Sequence, residues 1–215
     1  MAKVVSLASA RGVTPAARSA ANKVEKLDAR RIELAEATLE TLAELGYART
    51  SLREIANNSQ FSHGVLHYYF NDKIDLICCA VRYYKTTCAT RYDAVVTAAT
   101  TPGELLDGFC AKMRETLTLE ARMHRLWYDL RSQALFEDAI RDDVKAIDKS
   151  LENMIWRVAV RFAELSKSQV SMSSGSLYAL FDGLFQQALL AHIGGDEAAA
   201  DNLTDEIRQL LPRIA

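Results

Sequence analysis

The chain has 215 residues and a formal net charge of −2, enough length for a sizeable core arranged as one domain or two modest ones. Nine glycines and three prolines are few for a many-turned β architecture, and no apolar run approaches the ~20 residues that span a bilayer. Four cysteines with no CxxC pair, and no secretory signal, point to a reducing cytoplasm and away from a disulfide framework or a membrane.

The small net charge hides an asymmetry. Residues 1–90 carry 12 Lys and Arg against 9 Asp and Glu, whereas residues 91–215 carry 14 against 19. Within residues 1–31 the count is 7 against 2, so an anionic partner would meet the N-terminal end. Residues 1–27 read as a basic arm with no acidic residue before Glu25. An extension without a role fits the same composition, and the apolar run after Lys3 is too short for a secretory signal. Thr14-Pro15 is a reasonable helix start.

Residues 50–73 carry the most information. Ser51 followed three residues later by Glu54 predicts a capping box, and Leu52, Ile55 and Ala56 then supply a helical apolar face. Ser62 restarts the pattern as a second N-cap, with Val65, Leu66, Tyr69 and Phe70 on the inner side of the next helix. That helix turns His63, Gly64, His67 and Tyr68 outward. Hydrogen-bonding aromatics beside a glycine-thinned backbone suit a DNA groove.

Helical spacing continues to the end of the chain. Ile74, Ile77, Val81, Tyr84 and Cys88 predict a long helix from Asn71, and Thr101-Pro102 marks a new start. Helices follow over 103–118, 121–136 and about 137–166, then over 176–193 after polar punctuation at 171–175. Gly194-Gly195 stops that helix, and Asp196 can cap a last one with the stripe Leu203, Ile207, Leu210, Leu211 and Ile214. The helix over 176–193 is apolar on more than one side, which predicts burial against its own core and against a second chain. The expected seam is Tyr178, Phe181, Phe185, Leu189, Leu203, Ile207 and Leu210, with Gly183 permitting close approach.

An effector pocket is expected between facing helices. Its candidates are His124, Trp127, Tyr128 and Arg131 on one flank, Phe109, Cys110 and Met113 on the preceding helix, and Trp156 on the long following one. Arg131 would orient an acid or polar ligand; the bland alternative is a packed aromatic core with Arg131 on an internal carboxylate or in solvent. Catalytic patterns are missing from the sequence. Ile-Gly-Gly-Asp-Glu at 193–197 is explained by a helix stop and an acidic start, Cys78, Cys79 and Cys88 are poorly spaced for a common metal, and no phosphate loop or nucleophile elbow occurs. No catalytic residue, metal ligand or cofactor is assigned.

The stretch from about 28 to 80 resembles the DNA-binding domain of TetR family transcriptional regulators. The likeness runs through Arg30-Arg31-Ile32, Leu42-Ala43-Glu44-Leu45-Gly46-Tyr47, Thr50-Ser51-Leu52-Arg53-Glu54-Ile55-Ala56 and Ser62-x-Gly64-x-Leu66-x-x-Tyr69-Phe70-x-x-Lys73. The resemblance implies an all-α chain in which a three-helix helix-turn-helix domain (28–72) precedes a helical ligand-binding and dimerisation domain (73–215). It further implies a homodimeric regulator of transcription, a repressor released by a small-molecule effector, acting on double-stranded DNA at a palindromic operator. Together with exposure, it assigns Thr50 and Ser51 to phosphate at a helix N-terminus and Lys73 to a phosphate clamp. Arg30 and Arg31 go to the flanking backbone or the minor groove, Ser62 to the start of the reading helix, and Gly64 to its close approach. His63, Val65, His67 and Tyr68 are assigned to base edges, and Tyr69 to phosphate or to core. Four positions depart from the family pattern: Ser59 and Gln60 stand where Ala-Gly is usual, Phe61 where Val is, and His67 where Tyr is. A left-handed Gln60 would cost about 1 kcal/mol. The competing reading is a helical DNA-associated or protein-interaction module with no small-molecule response; a cavity among the C-terminal helices discriminates the two.

Overall fold

The computed structural model describes residues 15–215, and they form an all-α fold of ten helices. Helix α1 (Pro15–Leu45) begins at the expected proline and runs on unbroken, so residues 15–27 of the expected basic arm are helical. Residues 1–14 of that arm lie outside the described residues. Gly46 ends α1 at φ 77°, a left-handed conformation that glycine adopts freely. Arg49 Nε donates to the Leu45 carbonyl and Thr50 Oγ1 to that of Gly46, which satisfies acceptors that α1 leaves open.

The reading unit follows. Ser51 caps α2 (Leu52–Asn57) by accepting from the Glu54 amide, though Glu54 does not return the bond to complete a capping box. Ser62 caps α3 (His63–Tyr69) through the Val65 amide. Gln60 does not take up a left-handed conformation: among the described residues, the one non-glycine with positive φ is Lys167, at 56°. The turn is therefore built without the strain expected at Gln60, and Phe61 closes it by burying its ring with Leu34, Ile55, Leu66, Phe70 and Leu76.

Helix α4 (Lys73–Cys88) leads out of this head into α5 (Asp93–Ala98), α6 (Pro102–Leu119), α7 (Ala121–Gln133), α8 (Asp138–Ser166), α9 (Ser174–Ile193) and α10 (Ala199–Ile214). Thr101 and Pro102 start α6 as expected, with Thr101 Oγ1 accepting from the Glu104 amide. Asp196 Oδ1 accepts from the Ala198 amide just ahead of α10. Helix α5 was not anticipated. It lies so close to α6 that a Cβ at Gly108 would come within 2.7 Å of Val95 Cγ1.

Apolar burial falls into three clusters. The first is the core of the head. The second joins the head to the rest, packing Leu39 and Leu42 of α1 and Ile77 and Val81 of α4 against Leu126, Trp127 and Leu130 of α7 and Ile140 and Val144 of α8. The third fills the space among α5, α6, α8, α9 and α10. Tyr178, Phe181, Phe185, Leu189, Leu203 and Ile207, expected at a seam between chains, belong to that third cluster and are buried within their own chain. Leu210 is partly buried against it. The outward stripe of α9 is instead Leu180, Gly183, Gln187 and Leu190, where Leu190 is 75% exposed and Gly183 has nothing within 4 Å of a would-be Cβ; Leu184 and Ala191 at its edge are half-buried.

Candidate DNA interface and effector cavity

Helix α3 presents His63, Gly64, His67 and Tyr68 to solvent, and Tyr68 is 76% exposed. The His63 and His67 rings meet edge to face at 4.4 Å, so the two imidazoles stand on one turn of one face. Val65 and Tyr69 are half-buried against the core of the head. Tyr69 also offers its carbonyl to Arg31 Nη1 at 3.1 Å. Arg30 and Arg31 fold back over the rings of Phe61 and Phe70, each at 4.5 Å from the centroid, which braces α1 against the turn and the end of α3. Ser51 and Ser62 are exposed at helix starts, whereas Thr50 is 2% exposed with its hydroxyl spent on Gly46. Of the pair expected to meet phosphate through side chains at the start of α2, only the Ser51 hydroxyl faces outward.

Lys73 is drawn inward. Its Nζ donates to the Tyr47 carbonyl at 2.6 Å and lies 4.2 Å from the centre of the Tyr47 ring. Burial lowers the Lys73 pKa, and Asp129 pulls the other way. The amide of Tyr47 in turn donates to Asp129 Oδ2 at 2.7 Å. The peptide groups around Tyr47, in the turn between α1 and α2, are thus held by α4 on one side and α7 on the other. Arg125 of α7 adds a bond to the Ala43 carbonyl near the end of α1.

The opposite flank of α7 borders a cavity of about 70 Å³. His124, Trp127 and Tyr128 line it, as does Met113 of α6. Phe109, Cys110, Arg131 and Trp156, the other expected pocket residues, lie outside its lining. Phe109 and Cys110 are buried between α6 and its neighbours, and Trp156 packs on the outside of the third cluster. The sequence missed Tyr92, Leu151, Met154 and Ile155, and placed Tyr178, Phe181 and Phe185 on the wrong surface; all of them line this cavity.

One rim of the cavity is a chain of polar contacts. Arg131 pairs with Asp182 and, at 3.3 Å, with Asp148. The Tyr128 hydroxyl donates to Asp182 Oδ1 at 3.0 Å and the Tyr178 hydroxyl to Asp148 Oδ1 at 2.8 Å. Burial and then the neighbouring Asp182 push both tyrosine pKa values up, so they serve as neutral donors. Burial is the largest single influence on Arg131 and opposes its charge, but the bond to Asp182 and the attraction of Asp182, Tyr178 and Asp148 together outweigh it and hold the proton more firmly than usual. On the far side, Arg91 pairs with Glu120, and its Nη1 donates to Thr116 Oγ1 at 2.7 Å. His124 sits beside that pair with its ring 4.8 Å from Phe185. Burial, then the Arg91 charge, lowers its pKa to about 4, so the imidazole is neutral at physiological pH. Nε2 of His124 and Nε1 of Trp127 are sealed from solvent without a hydrogen-bond partner among the described residues.

Two short capped helices joined by a tight turn, braced by a third helix and exposing one polar aromatic face, define a helix-turn-helix DNA-binding protein. Comparison with known proteins narrows the class. Residues 34–77 match the family model for bacterial regulatory proteins of the tetR family. The HTH-type transcriptional regulator BetI of Burkholderia mallei is 28% identical over 198 residues, spanning 89% of this chain and 99% of that protein. A TetR transcription regulator from Haloarcula marismortui superposes with a TM-score of 0.70 at 18% identity, over 86% of this chain and 98% of that one. A transcriptional regulator from Saccharomonospora viridis, solved in complex with choline, superposes at 0.69 and 17% identity over 85% and 95%. Residues 34–77 thus carry a tetR-type DNA-binding domain, the chain as a whole is similar to TetR family regulators, and it is a DNA-binding transcriptional regulator. Among the described residues, no helix is long and apolar enough to cross a membrane.

Proposed function

We propose that this regulator is a cytoplasmic, homodimeric repressor that leaves a palindromic operator when a small molecule occupies the cavity beside α7. The observation that carries the reading is the double use of α7. One flank carries Asp129 and Arg125, bonded to the end of α1 and the turn before α2; the other carries His124, Trp127 and Tyr128 on the cavity wall. A ligand that favours one setting of α7 therefore biases the pose of the reading head, and DNA must oppose the ligand by the same free energy. The competing module without a ligand response gives no use to a cavity with two unpartnered nitrogens. A choline complex of a neighbour with the same fold supports an effector of modest size. The role assigned is binding and regulation, not catalysis.

The second chain is placed against the outward stripe of α9. Leu180, Leu184, Leu190 and Ala191 flank Gly183, and a groove between α9 and α10 lined by Gln187, Asn202 and Glu206 runs beside them. Two heads so joined meet successive major grooves about 34–36 Å apart, or somewhat more. The test begins with selection of binding sites from random DNA, followed by release assays with metabolites. His67→Ala and Tyr68→Ala should each reduce discrimination among operator variants by about 1–3 kcal/mol. Equal losses on selected and random DNA would make these side chains backbone contacts and move base reading elsewhere.

A further inference from the structure

We propose that α3 carries a metal site on its reading face. His63 and His67 form a two-imidazole chelate for a late first-row divalent ion of the Ni²⁺, Cu²⁺ and Zn²⁺ class, and the ion and the operator exclude each other. The chelate stands on the geometry of α3 alone; the exclusion rests on the reading of α3 as the helix that enters the groove. Residues four apart on a helix share one face with Cβ atoms about 5–6 Å apart, the spacing by which helical histidine pairs grip zinc. Here both side chains are exposed, and their rings already meet at 4.4 Å. Neither imidazole has a hydrogen bond or an ion pair among the described residues, so neither has a partner to give up. Gly64, exposed beside them, has no side chain to crowd an ion. The departure at His67, where the resemblance has Tyr, is what makes the pair.

The donors decide the class of ion. Two nitrogen donors without a carboxylate favour the ions that prefer imidazole and pass over Mg²⁺ and Ca²⁺, which demand oxygen. Among the described residues no group of three or more His, Cys, Asp or Glu side chains could hold a metal, so water completes the shell and the ion exchanges freely. The face that holds the ion is the face offered to DNA. A bound ion takes up ring nitrogens that would otherwise meet base edges. Two metal–ligand bonds of about 2.0–2.1 Å would keep such a nitrogen about 4 Å from a base atom, against about 2.9 Å for a direct hydrogen bond. That difference lifts α3 from the close seat that Gly64 allows. The added positive charge attracts phosphate whatever the sequence, so the ion removes discrimination rather than all affinity.

The test begins without DNA. Untagged full-length protein is titrated with Ni²⁺ by calorimetry in a buffer that does not chelate it. One ion should bind per chain, and His63→Ala and His67→Ala should each weaken it by about tenfold or more. The double variant should add little, because a single imidazole has already lost the chelate. His192→Ala, at the end of α9, should leave the affinity unchanged. No binding, or binding indifferent to both α3 substitutions, would overturn the site and leave the repressor reading untouched. The second arm measures DNA affinity with Mg²⁺ in large excess throughout, so that Ni²⁺ does not act as a mere counterion. Saturating Ni²⁺ should lower affinity for the selected operator at least about tenfold, toward that for random DNA, and stoichiometric EDTA should restore it. Operator affinity unchanged or raised by bound Ni²⁺ would overturn the exclusion. Failure to select any operator would overturn the repressor reading and the exclusion with it, and the Ni²⁺ titration would still decide the site.

Discussion

His124 has been moved from water to a place where its charge is unwelcome, and this has a consequence for stability. Its pKa falls from 6.5 to about 4 in the folded chain, with burial as the first cause and Arg91 as the second. Between those values the unfolded chain holds the proton and the folded one does not, so stability drops as pH falls from about 6.5 toward 4 and is unaffected above that window. The full shift corresponds to about 3 kcal/mol at the acid end. Urea denaturation at pH 7.5 and 4.5 should show this loss for the wild type, and a clearly smaller one for His124→Phe, which cannot titrate. Equal acid losses in both proteins would mean that another group carries the sensitivity. The sequence offered His124 as a pocket candidate on helical spacing alone. It gave no sign of Arg91, which lies 33 residues away on another element, although Glu120, the N-cap of α7, is only four residues before His124. Arg131 was legible as the cation near the pocket, but its partner Asp182 is 51 residues distant and no local pattern couples them.

At the scale of elements, what was legible is what local chemistry decides. Ser51, Ser62 and Thr101 each precede a helix and accept from the amide three residues on, so those starts could be read from residue type and spacing. The rotation of α9 could not. A helix that is apolar nearly all round carries no periodic signal for which face looks inward, and Tyr178, Phe181 and Phe185 therefore fell on the wrong side of the argument. A Phe181→Glu change, which would have tested a seam, would instead bury charge in the chain's own core and unfold it. Helix α5 was missed because six residues are too few to show a period. Its position can be tested through Gly108. Ala would gain helix propensity, up to about 1 kcal/mol, but its Cβ would press on Val95 Cγ1, and overpacking costs about 1–3 kcal/mol. Gly108→Ala should therefore lower stability by about 1 kcal/mol, and adding Val95→Ala should restore much of that loss in urea melts. Additive losses in the double variant would mean that the two helices do not touch at this point.

The whole molecule is organised around a middle cluster that belongs to neither end. Trp127 packs in that cluster and also lines the cavity, and Asp129, two residues further along α7, holds the Tyr47 amide in the turn before α2. Lys73, the first residue of α4, holds the Tyr47 carbonyl of the same turn, so its side chain serves the joint between head and body as much as any phosphate. Neither contact was visible in the sequence, since Tyr47 lies 26 residues from Lys73 and 82 from Asp129. Replacing Asp129 with Ala leaves the Tyr47 amide without its acceptor in a partly buried place, at a cost of about 1–3 kcal/mol in stability. It should also loosen the head, which must then be ordered by the DNA itself. Operator affinity should weaken by about 0.5–2 kcal/mol although the α3 surface is untouched. The slope of affinity against salt should stay as in the wild type, because no phosphate contact is lost. Lys73→Ala provides the contrast: a shallower slope would add a phosphate contact to its structural bond, whereas an unchanged slope would leave it as part of the joint. If Asp129→Ala lost stability but kept full operator affinity, the bond to Tyr47 would be a brace alone, and the path from cavity to head would have to run through α4.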